Sequence, residues 1–190
     1  TNLDNFSYSE DDIPLNERPE IDRWILSELH TLIQKVDEYY ADYEPTKAAR
    51  VISDFTQDYL SNWFVRLSRR RFWKGDYQSD KISAYQTLYT CMLTIAKLGA
   101  PIAPFFMDKL YLDLNSVTKK EDFESVHLAE FPKFDTTFVD KSLAYAKENP
   151  SDVMLGIMTL LLMDIESDVD DLEAHTGVSA AVDLHDYRTR

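Results

Sequence analysis

The chain has 190 residues, 44% of them hydrophobic and 28% charged, and a formal net charge of -14 at pH 7. This supplies a sizeable core and is typical of one globular domain, with or without a tail. Only 4 Gly and 7 Pro argue against a turn-rich all-β protein and favour long helices. The acidic balance excludes a basic surface spread over a whole face, so any contact with nucleic acid has to use a small patch.

The single cysteine, Cys91, cannot form an internal disulfide, which favours a reducing compartment and a cytoplasmic location. Its apolar neighbours predict a small core residue rather than a reactive thiol. Residues 1–10 are polar and acidic, so no signal peptide is expected. The apolar run at 153–163 is far shorter than the ~20 residues of a membrane span, and we expect no membrane partner. Because the chain does not start with Met, we expect Thr1 to be an internal boundary or a processed start.

The first predicted helix follows an acidic connector, residues 1–18, that has no apolar periodicity. Pro19 is suited to the first turn of a helix, and the helix dipole favours the negative charges of Glu20 and Asp22 there. Apolar residues then recur every three or four positions as far as about Tyr43, which predicts an amphipathic helix. Trp24 lies on this apolar stripe and is predicted to be a structural anchor.

The second predicted helix is longer, running from Pro45 to Trp73, and Gly75 provides a natural stop just beyond it. Trp63 is expected to anchor this helix in the core. The complete core-facing row predicted from the spacing is Ala48, Ile52, Phe55, Tyr59, Trp63 and Leu67.

The remaining predicted elements complete an all-α fold. A third helix is predicted from about Ser79 to Gly99, and a shorter fourth helix follows a corner at 100–104. The alternating residues 125–132 predict a short extended segment across the surface. Residues 19–147 are therefore predicted to form one domain, an antiparallel helix bundle with short loops. The last block, 148–190, predicts an apolar helix and an acidic tail, to which we assign no function.

The segment at 62–73, NWFVRLSRRRFW, combines four arginines with four aromatic rings, and residues 47–81 carry eight basic and four acidic side chains. Cationic charge concentrated in an acidic protein is explained most simply by an anionic partner. Guanidinium groups neutralise phosphates and aromatic rings stack on splayed bases, which suits single-stranded nucleic acid. The candidate RNA-binding residues are Arg66, Arg69, Arg70, Arg71 and Trp73.

Helical spacing places Arg66, Arg69, Arg70 and Trp73 at i, i+3, i+4 and i+7, on one face, whereas Arg71 lies on a neighbouring face with Trp63 and Leu67. An alternative interpretation stays open. The macrodipole favours arginines at a helix C-terminus, where the abundant acidic residues could pair with them. Spacing alone does not distinguish an RNA-contacting stripe from such an ion-paired helix end.

Catalytic and metal-binding patterns are not visible in the chain. The four histidines, His30, His127, His175 and His185, are scattered without ligand spacing, so no metal site is predicted. A phosphate-cradling glycine loop, a nucleophile elbow and a carboxylate dyad are also missing from the sequence. We therefore predict no catalytic residue.

Residues 62–73 closely resemble the arginine and aromatic signature of the helical anticodon-binding domain of isoleucyl-tRNA synthetases. Three further segments are similar to motifs of that domain and occur in the same order. They are PEIDRWILS at 19–27, APIAPF at 100–105 and SVHLAEFP at 125–132. The resemblance covers about residues 1–142. The related valyl, leucyl and methionyl enzymes generally differ at the positions of 62–73, which favours isoleucine.

The resemblance implies a bundle of the class Ia synthetase anticodon-binding type, which would grip the anticodon stem and loop of an isoleucine-specific tRNA. ATP-dependent ligation, with ATP and Mg²⁺, would belong to other domains of the same enzyme, preceding Thr1. The family's ATP-handling motifs, HIGH and KMSKS, do not occur in the chain, so no cofactor is expected in this fragment. Residues 149–190 depart from the family pattern. The alternative hypothesis is an acidic helical module that binds other proteins, motivated by the net charge.

Overall fold

A computed structural model of the protein describes residues 6, 8–73 and 78–139. All of them belong to one structural unit, Thr1–Ala144. The predicted apolar helix and acidic tail at 148–190 lie outside the described residues, as does the end of the predicted domain, 140–147. Within the described residues the fold is all-α: five α-helices and one π-helical stretch, together with two short 3-10 helices, Leu15–Glu17 and Thr136–Phe138.

Helix α1, Glu20–Ala41, forms where the apolar spacing predicted it. Pro19 is the N-cap, and the acidic side chains of Glu20 and Asp22 lie in the first turn, where the positive end of the helix dipole favours them. The apolar stripe packs into the core. Its buried members are Ile25, Leu26, Leu29, Leu32, Ile33 and Val36.

The second helical segment is not the uniform helix that was predicted. Helix α2, Pro45–Asp54, leads into π-helical turns at Phe55–Val65, and helix α3, Arg69–Trp73, follows after Ser68. A π-helical turn holds more residues than an α-helical turn, so the inward-facing row shifts along the sequence. The row that is buried is Ala48, Ile52, Phe55, Leu60, Phe64, Ser68 and Phe72, which corrects the predicted row through Tyr59, Trp63 and Leu67.

Helix α4, Ser79–Gly99, is the most deeply buried helix of those described and forms the centre of the bundle. After a turn it is followed by α5, Pro104–Thr118. Both helices agree with the pattern of apolar residues. Cys91 lies fully buried in α4, where burial raises the pKa of its thiol.

The extended segment predicted at 125–132 is a turn instead. Its backbone closes through hydrogen bonds from the Leu128 amide to the Ser125 carbonyl and from the Ala129 amide to the Val126 carbonyl. One carboxylate oxygen of Asp108, on α5, accepts both the Ser125 hydroxyl and the Val126 amide. Because these bonds fold the backbone over a single buried side chain, Val126, the alternating pattern does not produce a strand.

The described part of the predicted connector packs against α4. Phe6 stacks on Tyr85, with ring centroids 5.0 Å apart, and Tyr8 lies the same distance from Tyr89. The buried Gln86 side chain donates to the Asp11 carbonyl and accepts from the Ile13 amide, at 2.9 and 3.0 Å. This segment therefore contributes to the core, although its sequence shows no periodicity.

No helix in the described part of the chain is both long enough and apolar enough to cross a membrane.

The environment of His30 on α1 leads us to expect that the free energy of unfolding depends on pH. Its Nδ1 accepts the Asp135 amide at 3.2 Å, and its ring stacks on Phe138. Burial lowers the pKa of His30 below 6.5, although the charge of Asp135 partly opposes this. The unfolded chain therefore binds the proton first, and the free energy of unfolding should fall as the pH drops below about 6.5. We expect His30→Gln to reduce this dependence between pH 7.5 and 5.5, measured by urea unfolding.

The matched control for that measurement is His127→Gln, which changes a histidine that is exposed, whereas the His30 ring stacks on Phe138. Three carboxylates have lowered pKa values, Asp12, Asp108 and Asp135. They lose their stabilising effect only below pH 3.8, so they do not contribute to the slope measured between pH 7.5 and 5.5. An unchanged slope in His30→Gln would contradict the assignment.

Candidate nucleic-acid interface

The last two turns of the second helical segment separate an inward from an outward face. Phe64, Ser68 and Phe72, four residues apart, all point into the core. The Ser68 amide donates to the Phe64 carbonyl and the Phe72 amide to the Ser68 carbonyl, so α-helical spacing continues through the turn at Ser68. Four other residues of these turns, at i, i+3, i+4 and i+7, cover about 100° on the opposite side. We call this set, Arg66, Arg69, Arg70 and Trp73, the outward arginine face.

The outward arginine face is accessible to solvent. Arg66 and Arg69 are exposed, and neither forms an ion pair with another described residue. Trp73 is 67% exposed. Arg70 is partly buried and takes part in an interaction within the chain. Two guanidinium groups without a counter-charge among the described residues, and one indole ring, thus lie together on a helix end.

Arg71 is different, and its placement corrects its inclusion among the candidate RNA-binding residues. Its Nη1 and Nη2 donate to the two carboxylate oxygens of Asp22 at 2.6 and 2.9 Å. Its Nε donates to the Asp80 carboxylate at 2.9 Å, and Nη2 also donates to the Asp80 carbonyl. Burial by itself would lower the pKa of Arg71, but the hydrogen bonds and charges of Asp22 and Asp80 raise it overall. Arg71 therefore has a structural role.

The partner of Arg71 is a fully buried carboxylate that sequence reasoning assigned only to the helix dipole. Asp22 also accepts the hydroxyl of Ser83, at 2.5 Å. Asp22 belongs to α1, Arg71 to α3 and Ser83 to α4, so this buried polar cluster joins three helices. A bidentate arginine–carboxylate pair has a defined geometry. The cluster therefore fixes the orientation of α3 and, with it, the outward arginine face.

The two interpretations that the spacing left open each describe part of the segment. Arg71 is the ion-paired arginine that the helix-end interpretation requires. Arg66 and Arg69 are not paired within the described residues, and this arrangement favours an external anion.

Trp24 and Trp63 pack against one another, with ring centroids 6.3 Å apart, and Trp24 stacks on Tyr59 at 6.1 Å. Both tryptophans are partly buried, and Trp24 also packs against the main core. Neither ring is presented to solvent in the way that Trp73 is. Their contacts hold α1 against the π-helical turns.

An apolar groove of about 820 Å³ lies elsewhere, between the second helical segment and helices α4 and α5. Apolar side chains such as Ile52, Met92, Ile95 and Phe106 line much of it. An anion would find little to pair with there. In the described residues, moreover, no group of three or more His, Cys, Asp or Glu side chains could hold a metal ion.

The fold and the outward arginine face agree with a family assignment. Residues 22–167 match the model of the anticodon-binding domain of tRNA ligases. The chain belongs to this family of helical domains.

Particular members of the family are closely similar to the chain. It is 63% identical over 142 residues, 75% of its length, to an isoleucine–tRNA ligase of Cytophaga hutchinsonii. It is 57% identical over 159 residues, 84% of its length, to the isoleucine–tRNA ligase of Bacteroides fragilis. The corresponding enzyme of Thermus thermophilus is 43% identical over 130 residues, 68% of the chain. The chain covers only 13%, 14% and 12% of these three relatives.

Proposed function

We propose that the chain binds tRNA as the anticodon-binding part of an isoleucine–tRNA ligase. The family assignment supports the kind of partner, and the names of the relatives support the amino acid. The observation that carries the proposal is the outward arginine face, where Arg66 and Arg69 are exposed and unpaired within the described residues. An anionic RNA backbone would provide the missing counter-charges.

Phosphate contacts by these arginines would orient the RNA on the helix without specifying its sequence. The surrounding acidic surface limits the contact to this end of the bundle, because the net charge of -14 repels RNA elsewhere. We therefore expect weak binding by the isolated chain that decreases steeply with salt concentration. The cluster of Asp22, Arg71 and Ser83 would act indirectly, by holding the arginines in position.

In the whole ligase, the chain would contribute tRNA binding, and other domains would join isoleucine to the tRNA. ATP and Mg²⁺ would bind in those domains rather than here. We propose in addition that the enzyme selects isoleucine tRNA. Its proposed location is the cytoplasm. No feature of the described residues favours the alternative of an acidic protein-binding module.

The proposal is tested by reversing the charge of Arg66 and Arg69. We expect each single substitution, Arg66→Glu or Arg69→Glu, to weaken the binding of isoleucine tRNA by about tenfold, because a charge-assisted hydrogen bond is replaced by repulsion. Replacing each arginine by Ala should also reduce the slope of log affinity against log salt by about 1. Filter binding or fluorescence anisotropy at several salt concentrations measures both effects.

Arg50→Glu is the matched control, because Arg50 is an exposed arginine of α2. It lies 16 residues from Arg66, at most about 24 Å along the helix axis but still beyond the screening length, so the two charges are largely screened from each other at physiological salt. Its substitution should change the affinity by less than about threefold. If Arg50→Glu and Arg66→Glu weaken binding equally, the outward arginine face is not the binding site. If the parent chain prefers no tRNA, isoleucine selectivity is not located in this chain.

A further inference from the structure

Trp73 is the last residue of the outward arginine face along the chain. In helical projection it lies between Arg69 and Arg66, and it follows Arg69 by about 6 Å along the helix axis. Trp73 is 67% exposed, whereas Trp24 and Trp63 pack against other rings. Phe72, the preceding residue, is buried and packs against Phe64 and Tyr85, so the backbone that carries Trp73 is held by the core.

We infer that Trp73 is a stacking platform for an unpaired base of the bound RNA, while Arg66 and Arg69 neutralise the neighbouring phosphates. This inference rests on the proposed function and specifies which part of the RNA this surface recognises. An indole ring stacks only on a base face that is not already covered by a neighbouring base pair. The outward arginine face therefore recognises a loop or single strand, rather than the paired stem.

The arrangement has the two components of a sequence-tolerant single-strand site. Arginines follow the backbone, and an aromatic ring holds one base at a fixed distance from them. The ion pair of Arg71 with Asp22 holds α3 against α1, so α3 does not need to rotate when the RNA binds. The platform is therefore formed before binding.

The test compares three RNAs with equal numbers of phosphates: an isoleucine anticodon hairpin, the same hairpin with abasic residues in its loop, and a fully paired duplex. The complete 190-residue chain should bind the intact hairpin about fivefold to a hundredfold more tightly than the abasic one, which is the range for stacking of one base on an aromatic ring. Trp73→Ala should bind the intact and the abasic hairpin with equal affinity, and Trp73→Phe should retain most of the parent's preference for the intact hairpin. A 2-aminopurine in the loop should lose fluorescence on binding the parent chain but not on binding Trp73→Ala.

Phe105→Ala is the matched control. Phe105 is an aromatic residue with 91% exposure at the start of α5. The hydrogen bond from the Tyr40 hydroxyl to the Leu98 carbonyl places the end of α4, and so this corner, beside the end of α1. Arg71 contacts the start of α1, a helix of 22 residues, so about 30 Å separates Phe105 from the platform. Phe105→Ala should therefore bind all three RNAs as the parent chain does.

The outcomes separate the two proposals. If the hairpins bind equally well, with an affinity that still depends on Arg66 and Arg69, the stacking inference is wrong and the RNA-binding function stands. If Trp73→Ala keeps the parent's preference for the intact loop, a different residue reads the loop and the inference is again wrong. If no RNA binds in a manner that depends on Arg66 and Arg69, both proposals fail.

Discussion

Replacing Asp22 with alanine should lower the free energy of unfolding by about 3–5 kcal/mol, because it leaves the Arg71 guanidinium without its buried counter-charge. Asp22 is fully buried and binds Arg71 through both oxygens, and the Ser83 hydroxyl loses its acceptor as well. Asp80 is the remaining carboxylate at Arg71, and 56% of its side chain is exposed. Urea unfolding followed by circular dichroism at pH 7 measures the change.

Asp80→Ala provides the comparison within the same cluster. Its exposed carboxylate should contribute less than about 1 kcal/mol, since water screens the pair. Replacing Asp22 with Leu and Arg71 with Met together should recover most of the stability, because an apolar pair of similar volume needs no counter-charge. A loss in Asp22→Ala no greater than that in Asp80→Ala would show that the cluster does not hold the three helices together.

Phe64→Ala should have an effect of similar size, about 3–5 kcal/mol, because it empties a fully buried site at the end of the π-helical turns. The ring of Phe64 meets that of Phe72 edge to face, with centroids 6.4 Å apart, so its loss also weakens the attachment of α3. The same urea titration measures this loss. Phe64→Leu keeps most of the volume and should cost less than about 1.5 kcal/mol.

Two further variants make the Phe64 result specific. Phe105→Ala removes an aromatic ring that is 91% exposed, and its effect should stay within about 0.5 kcal/mol. Trp63→Ala tests the adjacent position, which apolar spacing placed in the core-facing row. If Trp63→Ala destabilised the protein more than Phe64→Ala, the row predicted from the sequence would be favoured over the row in the structure.

Much of the helical architecture could be predicted, because long apolar periodicity indicates α1 and α4, and a proline marks the start of α1 and of α5. The π-helical turns could not, since a window analysed at 3.6 residues per turn always assigns residues to the nearest α-helical row. Tyr59 and Trp63 are large side chains with mostly apolar surfaces, as are Leu60 and Phe64, so composition did not distinguish the two rows. The turn at 126–128 was missed for a related reason: alternation is also produced by a loop that buries one side chain.

The candidate site was predicted in part. The spacing of Arg66, Arg69, Arg70 and Trp73 defines a common face, and the structure places that face outward. Arg71 was separable from them by the same spacing, but its partner was not, because Asp22 is 49 residues away in the chain. A long-range ion pair of this kind leaves no local pattern in the sequence. The helix dipole also accounts for an acidic residue in a first helical turn, so Asp22 gave no indication of a distant partner.

The π-helical turns at Phe55–Val65 determine where the next residues point. Deleting one residue from this stretch would change the angle about the helix axis at which Arg66 and Arg69 project, and would so turn them away from solvent. A conservative replacement of an exposed residue such as Gln57 leaves the angle unchanged. This part of the gene should accordingly accept point substitutions far more readily than in-frame insertions or deletions.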